Sequence, residues 1–172
     1  RKHGEGPKNF FAGIKPGAMY GIELYEANPK AIKELDAGAA MAIALRPTGV
    51  PHFITLMSVQ TTSLPGYLAV AAPIMRLARE IWTTVGTQDH TKAQGDALTP
   101  KELVDLWWAL QTAPGNTQSM EQGPIRALEA ALKTLKWALT GPTSITTYGG
   151  AILDLTVGTP AMLQHYIVEA YE

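Results

Sequence analysis

The chain has 172 residues, 46% of them hydrophobic and only 17% charged, with a formal net charge of -1 and no cysteine. The missing cysteine excludes a disulfide framework, a Cys-based zinc site and a thiol nucleophile, and the length fits one domain that buries its core without staples. The near-zero net charge conceals a split: residues 1–79 hold nine Lys/Arg against five Asp/Glu, and residues 80–172 hold five against ten. Charge asymmetry between halves points to a polyanionic partner.

So sparse a surface charge predicts that other subunits cover much of the surface. The longest apolar runs, 37–45 and 64–75, fall short of the roughly 20 residues that cross a bilayer, so no membrane span is expected. The chain begins at Arg1 with no signal-peptide pattern, as expected either of a cleaved precursor or of a trimmed chain.

Residues 1–17 carry Arg1, Lys2, Lys8 and Lys15 against Glu5 alone, spaced by glycines and prolines. That density of Gly and Pro precludes a long helix and predicts an extended basic arm with Phe10, Phe11 and Ile14 as its apolar anchor. The arm reads either as a solvated tail or as a strap over phosphates, where Lys and Arg displace condensed counterions.

From residue 18 onward the pattern is helical. Asn28-Pro29, Thr99-Pro100 and Thr159-Pro160 each place a cap residue before a first-turn proline, and Pro65 and Pro124 stand where similar starts belong. Thr99 and Glu102 also have capping-box spacing. The expected helices lie near residues 18–27, 29–46, 51–61, 65–85, 100–112, 124–139, 144–157 and 160–171, with Gly86 and Gly158 as stops.

Residues 37–79 contain no Asp or Glu but carry Arg46, His52, Arg76 and Arg79. Arg76 and Arg79 stand one turn apart on a helix whose other side carries Val70, Ile74, Leu77, Ile81 and Val85, so both project from a non-core region. They read as phosphate contacts or as surface or intersubunit ion pairs, with the adjacent Glu80 as a partner for either. Arg46 closes a helix, where a cation also suits the dipole.

Helix 124–139 has a core stripe of Ile125, Leu128, Leu132, Leu135 and Leu139. Its other face carries Arg126, Glu129, Lys133 and Lys136, for which a solvated, salt-laced surface is the favoured reading. Trp82, Trp107, Trp108 and Trp137 fall within apolar helical patterns and are expected in the core rather than on a base-stacking platform. The last helix is almost uncharged, which suits an interface.

Catalytic signals are weak. His3, His52, His90 and His165 show no pair at helical metal-site spacing, and Asp89-His90 is an isolated neighbour pair. No phosphate-binding loop or nucleophile elbow is present. Gly149-Gly150 reads as a close-packing point within a helix.

Leu139-Thr140-Gly141-Pro142, then Tyr148-Gly149-Gly150, then Gly158-Thr159-Pro160-Ala161 opening a last helix that ends in aromatics, is an order of features that resembles the major capsid proteins of rod-shaped and filamentous archaeal viruses. The likeness is by local motif over the C-terminal third and by layout elsewhere. It implies a helical coat protein with an N-terminal arm that pairs as dimers and wraps double-stranded DNA in the A form, alone or with a related second coat protein. It implies localisation in the virion, as nucleocapsid.

The expected fold is therefore all-α, a bundle of about six to eight helices, with an extended arm over 1–17 and a single assembly domain over 18–172. The expected function is a structural coat subunit, not an enzyme, with no cofactor or metal, self-assembling into a helical filament around double-stranded DNA. Arg1, Lys2, Lys8, Lys15, Arg46, Arg76 and Arg79 are its expected phosphate contacts. Two alternatives stand beside it: a filament or pilus-type subunit without nucleic acid, and a small helical enzyme or ligand-binding domain with Asp89, His90 or His165 at a pocket.

Overall fold

The computed structural model describes residues 12, 15, 19–22, 28–43, 61–86, 100–112 and 123–171. Within them, α1 spans Pro29–Ile43, a single 3-10 turn covers Thr61–Ser63, α2 spans Pro65–Gly86, α3 Pro100–Thr112 and α4 Pro124–Leu135. Three strands follow, β1 over Ala138–Gly141, β2 over Ser144–Thr146 and β3 over Ile152–Asp154, and α5 closes the series over Pro160–Tyr171. The chain forms two compact units, one of Arg1–Ile22 with Ala27–Ala69, the other of Glu23–Glu26 with Val70–Glu172.

Proline starts each helix as its sequence predicts. In α1 the Asn28 side chain accepts from Lys30 N–H at 2.9 Å, and in α5 Thr159 Oγ1 accepts from Met162 N–H at 3.3 Å, both satisfying donors that the helix itself leaves orphaned. Leu64, which precedes Pro65, has no side-chain acceptor to offer α2. Asp36 of α1 supplies one instead, its Oδ1 accepting from Gly66 N–H at 3.1 Å.

The expected all-helical bundle is not what forms: the described fold is mixed, five helices with a three-stranded antiparallel sheet. The divergence begins at Lys136. The apolar stripe of α4 would continue through Leu139, but Lys136 adopts the left-handed conformation at φ 56. Its N–H bonds to Lys133 O at 3.1 Å, and Trp137 N–H bonds to Leu132 O at 2.9 Å. These bonds satisfy the last carbonyls and end α4 at Leu135.

Residues 144–157, expected as a helix, instead hold β2 and β3. The loop between them explains why. Gly150 N–H bonds to Thr147 O and Thr147 N–H to Ala151 O, both at 2.9 Å, and Gly150 stands at φ +82. This is the three-residue hairpin loop whose last residue is left-handed, so Gly149-Gly150 marks a reversal and not a close helix contact. Gly158 likewise ends no helix: its N–H bonds to Asp154 O at 2.9 Å in the turn leaving β3.

Register gives the sheet two distinct faces. Leu139, Ile145 and Leu153 align on one, while Ala138, Thr146 and Ile152 align on the other. Ile145 is fully buried and Leu139 nearly so, and α3 and α4 both pack against β1. The stripe of α4 (Ala127, Leu128, Ala131, Leu132, Leu135) is buried, as are Leu163 and Ile167 of α5, which packs on α4. Each buried leucine or isoleucine among them contributes roughly 1.5–3 kcal/mol by leaving water.

Other expectations divide by position. Helices α1, α2, α3 and α5 begin where predicted and end within a few residues of it. At 18–27 the described residues 19–22 form a turn, with Gly21 at φ 70. The helix expected at 51–61 and nearly all of the arm lie outside the described residues, as does Thr99 of the capping box.

Candidate nucleic-acid interface

Helix α2 sets the best-defined cationic site. Val70, Ile74, Leu77 and Ile81 are buried as the spacing predicts, which turns the positions between them outward. Arg76 and Arg79 are both exposed on that outer side. One helical turn separates them, about 5–6 Å between Cβ atoms. Neither makes an ion pair with another described residue. A planar guanidinium keeps its charge at any ordinary pH and can engage a phosphate through two N–H donors at once.

Trp82 borders the pair and is 38% exposed, and Trp108 on α3 is 54% exposed. Both were expected in the core. Trp137 is buried as expected, and Trp107 is half-buried with its ring centroid 5.0 Å from that of Trp108. The misplaced pair reflects α2 and α3 each having more apolar positions than their buried faces take up.

Of the other predicted contacts, Lys15 is only half-exposed, and desolvation lowers its ammonium pKa below the ordinary value. Arg1, Lys2, Lys8 and Arg46 lie outside the described residues. Of the predicted contacts, the α2 pair therefore has the defined geometry.

Sequence reasoning passed over Lys30 and Lys33. Both are exposed on α1, at the same one-turn spacing that singled out Arg76 and Arg79. Lys30 sits in the first turn, where the helix dipole disfavours a cation, and α1 has no acid in that turn. Lys133 on α4 and Lys136 at its C-cap are exposed, as the solvated-face reading expects. Lys136 Nζ also lies 5.1 Å from the centroid of the Tyr148 ring, a cation–π contact that ties the end of α4 to the β2–β3 loop.

Catalytic groupings are thin. His165 is 76% exposed and meets Glu169 at 3.4 Å, one turn along α5. Among the described residues no cluster of three or more His, Cys, Asp or Glu could hold a metal ion. Asp89, His90, His3 and His52 lie outside those residues. No described helix is long and apolar enough to cross a membrane. Comparison with protein-family models, with curated proteins and with solved structures finds no match to this chain.

Proposed function

We propose that the chain is a structural coat subunit that self-assembles into a helical filament around double-stranded DNA, binding phosphates without reading bases and catalysing no reaction. The observation that carries this reading is the exposed Arg76–Arg79 pair, set in a stretch of residues 37–79 that contains no acid. Sequence-independent binding needs only cations that displace condensed counterions, and neither guanidinium has a described acidic partner to give up. The basic arm adds Arg1, Lys2, Lys8 and Lys15, and Arg46 adds one more. The virion, the A form of the duplex and a related second coat protein enter through the family likeness alone.

The test compares the wild type with the Arg76→Ala/Arg79→Ala double variant, titrating a duplex of mixed sequence at several salt concentrations. Loss of two phosphate contacts lowers the steepness of the log–log salt dependence by about 2, equally for unrelated sequences. An unchanged slope removes α2 from the interface.

A second reading, a filament subunit without nucleic acid, draws on the large apolar side chains left exposed. Tyr148, Ile152, Val157, Met162 and Tyr166 are among them, all in the acid-rich half, where lattice contacts rather than phosphates would be made. The ultraviolet absorbance ratio of purified assemblies separates the two readings.

A further inference from the structure

The two edges of the sheet are not equivalent, and backbone pairing fixes what each offers. Thr147 N–H donates to Ala151 O at 2.9 Å and Leu155 N–H to Thr143 O at 2.8 Å. Both pairs share the register that sets Ile145 opposite Leu153. Hydrogen-bonded pairs alternate along an antiparallel ladder, so Leu153 turns its N–H and C=O toward β2, while Ile152 turns both outward. Asp154 also turns outward, but its carbonyl already accepts from Gly158 N–H at 2.9 Å.

On the far side the same alternation turns Leu139 of β1 outward. There Gln111 Nε2 of α3 donates to Leu139 O at 2.9 Å, and α3 packs along the strand. That edge is covered. Among the described elements β3 has β2 as its one substantial neighbour, and Ile152 is 71% exposed. Beyond the shortness of the strand, the edge has little protection. It bears no Lys or Pro, and its one acid, Asp154, is held back by Thr156, which donates to Oδ1 from N–H at 2.9 Å and from Oγ1 at 2.6 Å.

We propose that β3 pairs antiparallel with β3 of a second copy, Ile152 opposite Ile152, so that two sheets become one. The strand is complementary to itself in this register, which is what a two-fold contact requires. The outward N–H and C=O of Ile152 in one copy meet the C=O and N–H of Ile152 in the other. The two exposed isoleucine side chains become cross-strand neighbours on the same face. Leu153 comes opposite Ala151, and Asp154 opposite Gly150, so no like charges face each other. The pairing rests on self-association, which the coat reading also requires, and on no nucleic acid.

Sedimentation velocity of the full, nucleic-acid-free chain across a concentration series tests it, with Ile152→Pro and Ile152→Lys beside the wild type. The proline removes the outward N–H and the isoleucine side chain without deleting a donor to β2; the lysine places a charge on the edge. The expected result is a concentration-dependent dimer whose dissociation constant rises at least tenfold in both variants. Because the chain has no native cysteine, Ile152→Cys adds a single thiol. Hydrogen-bonded partners stand about 5.5 Å apart between Cα atoms, so mild oxidation yields a disulfide-linked dimer, while Val157→Cys, equally exposed, does not.

A wild type that stays monomeric, association unchanged in both edge variants, or cross-linking no better at residue 152 than at 157 overturns the proposal. Nucleic-acid-protecting filaments that assemble normally from Ile152→Lys protein overturn it too, and leave the coat reading standing.

Discussion

Two carboxylates act on the fold in opposite directions. Burial raises the Asp36 pKa above its ordinary value of 3.8, and the hydrogen bond from Gly66 N–H only partly offsets that. A raised folded pKa means that the linked stability is fully present below about 3.8 and is lost as pH rises through the folded value. Asp36→Asn keeps an oxygen to accept from Gly66 and removes the half-buried charge. It is therefore expected to match the wild type at low pH and to equal or exceed it at pH 7. Asp36→Ala, lacking the acceptor, costs about 1 kcal/mol. Urea denaturation across pH reads both. Asp154 runs the other way: the bonds from the Thr156 hydroxyl and then its N–H lower its pKa, so its contribution is present above the ordinary carboxylate range and lost as pH falls through the lowered value.

Lys136 poses the other question at this scale. A non-glycine residue at φ 56 is strained, by roughly 1 kcal/mol relative to glycine, yet its ammonium sits over the Tyr148 ring. At an exposed site that contact is worth about 0.5–1 kcal/mol. Lys136→Gly is thus expected to leave stability nearly unchanged in the wild type and to stabilise by about 1 kcal/mol when Tyr148 is already alanine. Equal effects in the two backgrounds mean that the ring contributes nothing.

At the scale of elements, the hairpin between β2 and β3 depends on one glycine more than on its neighbour. Gly150→Ala forces a side chain into φ +82 and is expected to cost about 1 kcal/mol. Gly149, with open space around its Cα and no left-handed torsion, accepts alanine with little change. Thermal denaturation of the two variants distinguishes a left-handed turn from the close helix packing that the sequence had indicated.

The same hairpin marks where sequence reasoning stopped working. Helix starts were legible because Pro29, Pro65, Pro100, Pro124 and Pro160 act locally, through fixed φ and an absent donor. Burial of Val70, Ile74, Leu77 and Ile81 was legible from spacing alone. Residues 136–157 were not, because Leu135 and Leu139 extend the helical period of α4 while a lysine, not a glycine, adopts the terminating conformation. The strands are three or four residues long, too short for alternation to declare itself. Thr147-Tyr148-Gly149-Gly150-Ala151 between Ile145 and Ile152 was the available signal, a glycine-bearing reversal between β-branched residues. Arg76 and Arg79 were found by spacing, and the same test applied to α1 would have found Lys30 and Lys33.

For the whole molecule, where charge stands matters more than how much there is. The net charge of -1 gives no general attraction to nucleic acid, so the proposed binding requires local groups of cations such as Arg76 and Arg79. Exposed arginines contribute little to folding, and the Arg76→Ala/Arg79→Ala variant is expected to unfold within about 0.5 kcal/mol of the wild type. A loss of duplex binding in that variant is then a loss of contacts.

The most direct measurement is nuclease protection of native assemblies, with release of nucleic acid followed against salt. Protected duplex DNA, released with a log–log slope near -4 to -5 for about five neutralised phosphates per dissociated subunit, is the result expected. Intact filaments containing no nucleic acid, or a stable monomer that binds none at low salt, would contradict the coat reading.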